Sequence, residues 1–198
     1  MTVRPLFWIA KVVTFFWFVT MYRYRAHGRR HLPRGGFLVA SNHESYLDPM
    51  LAGMGVAGEV SFMARSTLFR NPAFGALIGS MNAFPVDRDR GDVKGVRTAL
   101  DRVRAGGVVV LFPEGTRTRD GSVGRFRPGI GSLARTAGAP VVPARIAGAW
   151  SVWPQNRILP CLQGCIRVRY GPALRIAPGE SAEDFARRLE AAVKDLRP

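Results

Sequence analysis

From Phe37 onward the chain alternates short apolar runs with amphipathic stretches, and that alternation narrows its fold more than any other feature. Phe37–Ser41, Val60–Ala64, Ala83–Val86, Val108–Phe112 and Val141–Ile146 are the length of buried strands and rich in Val, Ile and Phe. Between them, residues 49–56, 73–81 and 131–136 read as helices. Over residues 92–105, Val93, Val96, Leu100 and Val103 recur at spacings of three and four, which predicts a helix with a wet, basic opposite face. Gly106-Gly107 ends it. Residues 166–170 alternate arginines with apolar residues, as an edge-like strand does. Ser181 with Asp184 has the form of a capping box, opening a last helix that carries Phe185, Leu189, Val193 and Leu196. Strands interleaved with helices predict an α/β fold, a largely parallel sheet flanked by helices. Ligands of such sheets gather beyond the carboxyl ends of the strands.

A different pattern precedes this one. Leu6 to Tyr22 is apolar nearly all round, broken by Lys11, and contains Trp8, Trp17 and Tyr22, residue types that favour a membrane interface. As a helix it would measure roughly 25 Å, short of a ~30 Å hydrocarbon core. The expectation is a monotopic or re-entrant membrane helix, with a marginal span as second choice. No small-residue cleavage site follows, which argues against a removed signal peptide. Arg23, Arg25, Arg29, Arg30 and Arg34 come next and suit lipid headgroups. By the positive-inside rule they place the rest of the chain on the cytoplasmic side of the membrane. The expected organisation is therefore an anchoring helix over 1–22, a basic linker over 23–36, and the α/β domain over 37–198.

The formal net charge of +15 calls for an anionic partner: nucleic acid, an anionic membrane or a polyanionic substrate. Lysine occurs only at Lys11, Lys94 and Lys194, so arginine carries this charge. Its fork of donors suits phosphates. Basic residues cluster beside the apolar helix and in loops, not along one recognition helix with interleaved aromatics. A nucleic-acid or purely membrane-binding basic module is thus the lesser reading, and no nucleic-acid partner is expected. Cys161 and Cys165 are read as free thiols of a reducing compartment, and no metal site is expected.

Two loops hold the chemistry. In Ser41-Asn42-His43-Glu44-Ser45-Tyr46-Leu47-Asp48, a histidine is followed five residues later by a carboxylate. A histidine near its neutral pKa can take a proton from a hydroxyl, and a carboxylate on its other nitrogen fixes the tautomer. The same residues have a plainer reading: Asp48-Pro49 resembles a helix N-cap followed by proline. In Phe112-Pro113-Glu114-Gly115-Thr116-Arg117, a buried strand ends in a turn. Gly115 permits close backbone approach, Thr116 offers a hydroxyl and Arg117 a forked donor for phosphate. Glu114 either orients Arg117 or accepts a substrate hydroxyl. Pro85-Val86-Asp87-Arg88 follows a strand in the same manner, and Arg88 would form a second jaw of the clamp. Arg125-Phe126-Arg127-Pro128-Gly129 adds charge. There is no Gly-x-Ser-x-Gly elbow, no phosphate-binding Gly-x4-Gly-Lys-Ser/Thr loop and no Gly-x-Gly-x-x-Gly turn. Catalysis, if any, would be direct attack by a substrate hydroxyl.

Four ordered blocks resemble the 1-acylglycerol-3-phosphate acyltransferase family: Asn42-His43-x4-Asp48, Gly79–Arg88, Phe112–Arg117 and Val142-Pro143 with Ala144-Arg145-Ile146. The third matches the family block without a change, and the resemblance covers about residues 37–172. Arg65 stands where the family often has lysine. The resemblance implies transfer of a fatty acyl group from a thioester, on coenzyme A or acyl carrier protein, to the sn-2 hydroxyl of 1-acylglycerol-3-phosphate. The product would be phosphatidate, for phospholipid biosynthesis. It implies His43 as general base, Asp48 as its orienting carboxylate, and Arg88, Glu114, Gly115 and Arg117 at the glycerol phosphate. No cofactor is implied beyond the thioester co-substrate. The partners would be membrane lipids and the acyl donor. Another lysolipid acceptor, such as lyso-ornithine lipid, is the alternative within the class.

Overall fold

A computed structural model describes residues 5–87 and 93–198, with side chains from residue 12 onward. Seven strands form one sheet: β1 (Arg25–His27), β2 (Phe37–Ser41), β3 (Val60–Arg65), β4 (Ala83–Val86), β5 (Val108–Leu111), β6 (Val141–Ala147) and β7 (Arg167–Tyr170). Their order is β1-β7-β6-β2-β5-β3-β4, and every neighbouring pair is parallel except β6 with β7. The expected largely parallel α/β sheet is therefore present. β2 and β5 lie side by side at its centre, with Ala40 opposite Leu111.

Successive side chains of a strand point to opposite faces, so the all-apolar central strands feed two cores. Val39, Val108 and Val110 join one core, and Leu38, Ala40, Val109 and Leu111 the other. The first core is covered by α1 (Pro5–Tyr22), α2 (Asp48–Met54) and the short α6 (Ala149–Val152), through residues such as Phe18, Leu51 and Val152. The second is covered by α4 (Val93–Arg104), α5 (Gly129–Ala137) and α7 (Ala182–Asp195), through Leu100, Leu133 and Leu189. The remaining helix, α3 (Pro72–Ser80), starts at Asn71, whose side chain accepts from Phe74 N. Ser181 caps α7 as expected, its Oγ accepting from Asp184 N at 3.0 Å.

Three local expectations need correcting. The predicted apolar face of α4 is rotated: Val93 and Val96 are exposed, while Gly95 and Ala99 are buried with Leu100 and Val103. Small residues let the helix lie close to the sheet, and a hydrophobic count undervalues them. Residues 167–170 do not form the edge, because β1 covers them. That strand lies in the segment expected to be a linker, and it is anchored by buried tyrosines. Tyr24 Oη donates to Leu51 O and Tyr170 Oη to Ala52 O, so neither hydroxyl is left unpaired in the core.

The N-terminal segment is helical as expected. Its last turns are not detached: Phe18 and Tyr22 are fully buried, and Tyr22 O accepts from Ile166 N. Val12, Val13, Phe15, Phe16, Trp17, Val19 and Met21 are exposed. No helix among the described residues is long and apolar enough to cross a membrane.

Candidate active site

Because Ala40 pairs with Leu111, the third residues beyond them, His43 and Glu114, leave the sheet in register at the carboxyl ends of adjacent parallel strands. The two loops are tied directly. His43 N donates to Glu114 Oε1 at 3.1 Å, and Thr118 N donates to His43 O at 2.8 Å. The imidazole stacks on Phe112, with ring centroids 4.2 Å apart and planes 19° from parallel. The histidine loop and the arginine turn thus form one site.

His43 Nδ1 lies 2.7 Å from Asp48 Oδ2. The loop wraps around that oxygen: it also accepts from Glu44 N at 2.6 Å and Ser45 N at 2.7 Å. Asp48 was expected to double as an N-cap, but it is the first residue of α2 and makes no such bond. Its carboxylate looks back to Glu44 and Ser45, because the residues between His43 and Asp48 curl around it. Burial pushes the Asp48 carboxyl up to about 8, against the Ser45 and Glu44 amides and the Arg117 charge, which pull it down. Oδ2 accepts from both loop amides, which makes it an acceptor toward a ring proton on Nδ1 as well. That leaves Nε2 as the proton acceptor of the neutral imidazole.

Glu44 was not singled out beforehand, and nothing in its sequence context signals burial. It is 4% exposed. Its Oε1 accepts from Trp150 N at 3.0 Å, at the start of α6. Asn42, beside it, exchanges bonds with β6: Ile146 N donates to Asn42 Oδ1 and Asn42 Nδ2 donates to Ile146 O. Burial and the nearby Asp48 push Glu44 up to about 7. Burial likewise pushes Glu114 up to about 7, against the His43 and Gly124 amides. A raised carboxyl pKa means that the folded chain binds the proton more tightly than the unfolded chain. Its contribution to stability is then lost as pH rises from about the ordinary carboxylate value toward 7. Glu44→Gln keeps an acceptor for Trp150 N and removes the charge. Between pH 5 and pH 8 the parent should lose on the order of 2–3 kcal/mol more stability than the variant. Urea unfolding at the two pH values reads this out, and equal slopes would contradict it.

The turn after β5 needs its glycine. Gly115 has φ of 77°, and a Cβ there would meet the Arg127 guanidinium at 2.8 Å. Beyond it opens a pocket of about 370 Å³, lined by Glu114, Thr116, Arg117, Arg119, Arg125 and Gln155 among others. Arg117 Cζ sits 3.8 Å from the centre of the Tyr46 ring. Its Nε is buried with no hydrogen-bond partner among the described residues. Glu114, Gly115, Thr116 and Arg117 therefore come together with His43 and Asp48. Glu114 does more than line the pocket, since it also fastens the histidine loop. Tyr46 was not anticipated, because only the fold brings it beside Arg117, while Arg119, two residues along the same turn, also lines the pocket. Arg88 lies outside the described residues. The strand before it, β4, is at the far edge of the sheet, separated from β5 by β3.

Comparison with known proteins bears on this arrangement. A family model described as Acyltransferase matches residues 23–147, more than half of the chain. The chain is 30% identical over 126 residues to the 1-acyl-sn-glycerol-3-phosphate acyltransferase of Bacillus subtilis, covering 63% of this chain and 62% of that one. It thus spans less than two thirds of that relative. It is 29% identical over 199 residues to the protein of the same name from Pseudomonas aeruginosa, covering 97% and 73%. Its fold is similar to the crystal structure of the LPA acyltransferase PlsC from Thermotoga maritima, with a TM-score of 0.79 at 25% identity, over 97% of this chain and 77% of that one. With the histidine and arginine loops in one site and more than half of its length matching that family model, this chain belongs to the acyltransferase family.

Proposed function

We propose that this chain acylates the sn-2 hydroxyl of 1-acylglycerol-3-phosphate, using an acyl thioester of coenzyme A or acyl carrier protein, and so makes phosphatidate. The observation that carries this reading is the His43–Asp48 pair, bolted through Glu114 to a turn whose arginine faces a basic pocket. The names of the relatives support the same acceptor.

In this mechanism the acceptor hydroxyl lies at His43 Nε2 and its phosphate in the pocket at Arg117, with Thr116 adding a hydroxyl donor. As the hydroxyl oxygen attacks the thioester carbon, its proton passes to Nε2, and Asp48 balances the imidazolium. When the carbon–sulfur bond breaks, the sulfur takes that proton. The products are an ester and a free thiol, and His43 returns to its neutral form. Arg88, next to the second sequence block, is proposed as a further phosphate ligand on the strength of the family resemblance alone.

The acceptor is a lipid, which accords with the exposed apolar side chains of α1. In this reading residues 1–22 enter the membrane surface without crossing it, and residues 37–198 work on its cytoplasmic side. The arginines at 23, 25, 29, 30 and 34 lie at the headgroups. Purified protein given lysophosphatidate and acyl-CoA, or acyl carrier protein, should release thiol in step with phosphatidate. Release with neither donor would sink the proposal.

A further inference from the structure

The loop between α6 and β7 ends in a tip with no packing role. Ile158 is 91% exposed, Leu159 72% and Leu162 76%. Among the described residues outside α1, no other large apolar side chain is so bare, apart from Val93 on α4. The tip is not detached from the fold. Arg157 N donates to Pro154 O, Trp153 Nε1 to Arg157 O, and Cys161 N to Val152 O.

Two connections give this tip meaning. The first runs to α1. Tyr22 Oη donates to Cys161 O, and Gly164 N donates to Met21 O, so the loop stands against the last turn of that helix. The backbone on either side of Leu162 is thus fixed beside the helix on which Phe16, Trp17 and Met21 are exposed. Arg157 precedes Ile158 on the loop and Arg23 follows the helix, and both are exposed. The second connection runs to the catalytic loop. Ser45 Oγ donates to Trp153 O at 2.7 Å, the Tyr46 ring packs on Trp153, and Gln155 lines the arginine pocket.

We propose that the Ile158–Leu162 tip is a second membrane-inserting element, which dips into an anionic bilayer beside α1 and sets the arginine pocket at the headgroup layer. This rests on the membrane reading above. Three side chains on a loop tip fall far short of the ~800 Å² per partner that a stable protein interface needs. They suit a bilayer, where each apolar side chain inserts independently and neighbouring arginines meet anionic headgroups. Entry is shallow, at headgroup depth, where the backbone of the tip stays within reach of water.

The test uses the full chain with Cys161→Ser and Cys165→Ser, so that a fluorophore can be placed at one position. A polarity-sensitive label is attached at Leu159→Cys or, separately, at Phe16→Cys. Vesicles contain phosphatidylglycerol, phosphatidylcholine and lipids nitroxide-labelled high on the acyl chain. Both labels should shift to the blue and be quenched. Quenching at position 16 but not 159 overturns the loop proposal and leaves the membrane reading intact. Quenching at neither removes both. Independently, the double variant Ile158→Asp/Leu162→Asp should partition into these vesicles roughly tenfold or more weakly, since burying one such side chain is worth at least that factor. Both residues are exposed, so the fold and the turnover of a detergent-dispersed acceptor should be unchanged. Undiminished partitioning would also overturn the proposal.

Discussion

His43→Ala is expected to lower kcat for acyl transfer by about 10²–10⁴-fold, the usual worth of a positioned general base. The fold should survive, because His43 is held mainly by its backbone: its N–H bonds Glu114 and its carbonyl accepts from Thr118 N. Asp48→Asn should also be severe. Oδ2 is the shared acceptor of the ring and of two loop amides, and an amide side chain can no longer stabilise an imidazolium there. Steady-state kinetics with acyl-CoA and lysophosphatidate decide the matter. A His43→Ala enzyme that keeps most of its activity would mean that another group takes the hydroxyl proton.

Arg117→Ala should act on a different constant. Its Nε, unpartnered among the described residues, and its place over Tyr46 make it the best-prepared phosphate donor in the pocket. Losing one charge-assisted contact of this kind costs roughly 1.5–3 kcal/mol, or about 10- to 150-fold in KM for a phosphate-bearing acceptor. Arg117→Lys should recover only part of this, because an ammonium cannot reproduce a two-pronged contact. The acceptor panel is the critical comparison. A phosphate-free lysolipid such as lyso-ornithine lipid should lose little with Arg117→Ala. Equal losses on both acceptors would mean that Arg117 supports the site and does not read the phosphate. The same panel separates the proposed acceptor from the alternative one.

How far the sequence was legible varies from element to element. Of the five parallel strands, β2, β5 and β6 could be read because a strand buried on both faces must be apolar throughout, and the half-buried β3 and β4 because they too are short apolar runs. The α4 face was misread because Gly95 and Ala99 pack by being small, a quality invisible to hydrophobic periodicity. β1 went unseen because a three-residue strand of Arg, Ala and His has no pattern of its own. Its partner, Arg167–Tyr170, supplies the pairing from more than a hundred residues away. Asp48 passed for a helix cap because the Asp-Pro pair is locally consistent with one.

By itself the sequence determined the residue types that can move a proton and hold a phosphate, and it placed both after apolar runs, where such sheets put their ligands. These are local properties, set by side-chain chemistry and strand patterning. Only the tertiary structure decided that the two loops share a site, because the register of β2 against β5 carries His43 to Glu114. It also decided that Glu44 is a buried strut, that Tyr46 lies under Arg117, and that a bare apolar tip stands beside α1. Each of these depends on contacts between distant segments. Their energies come from desolvation and packing, which exist only once the chain has closed around them.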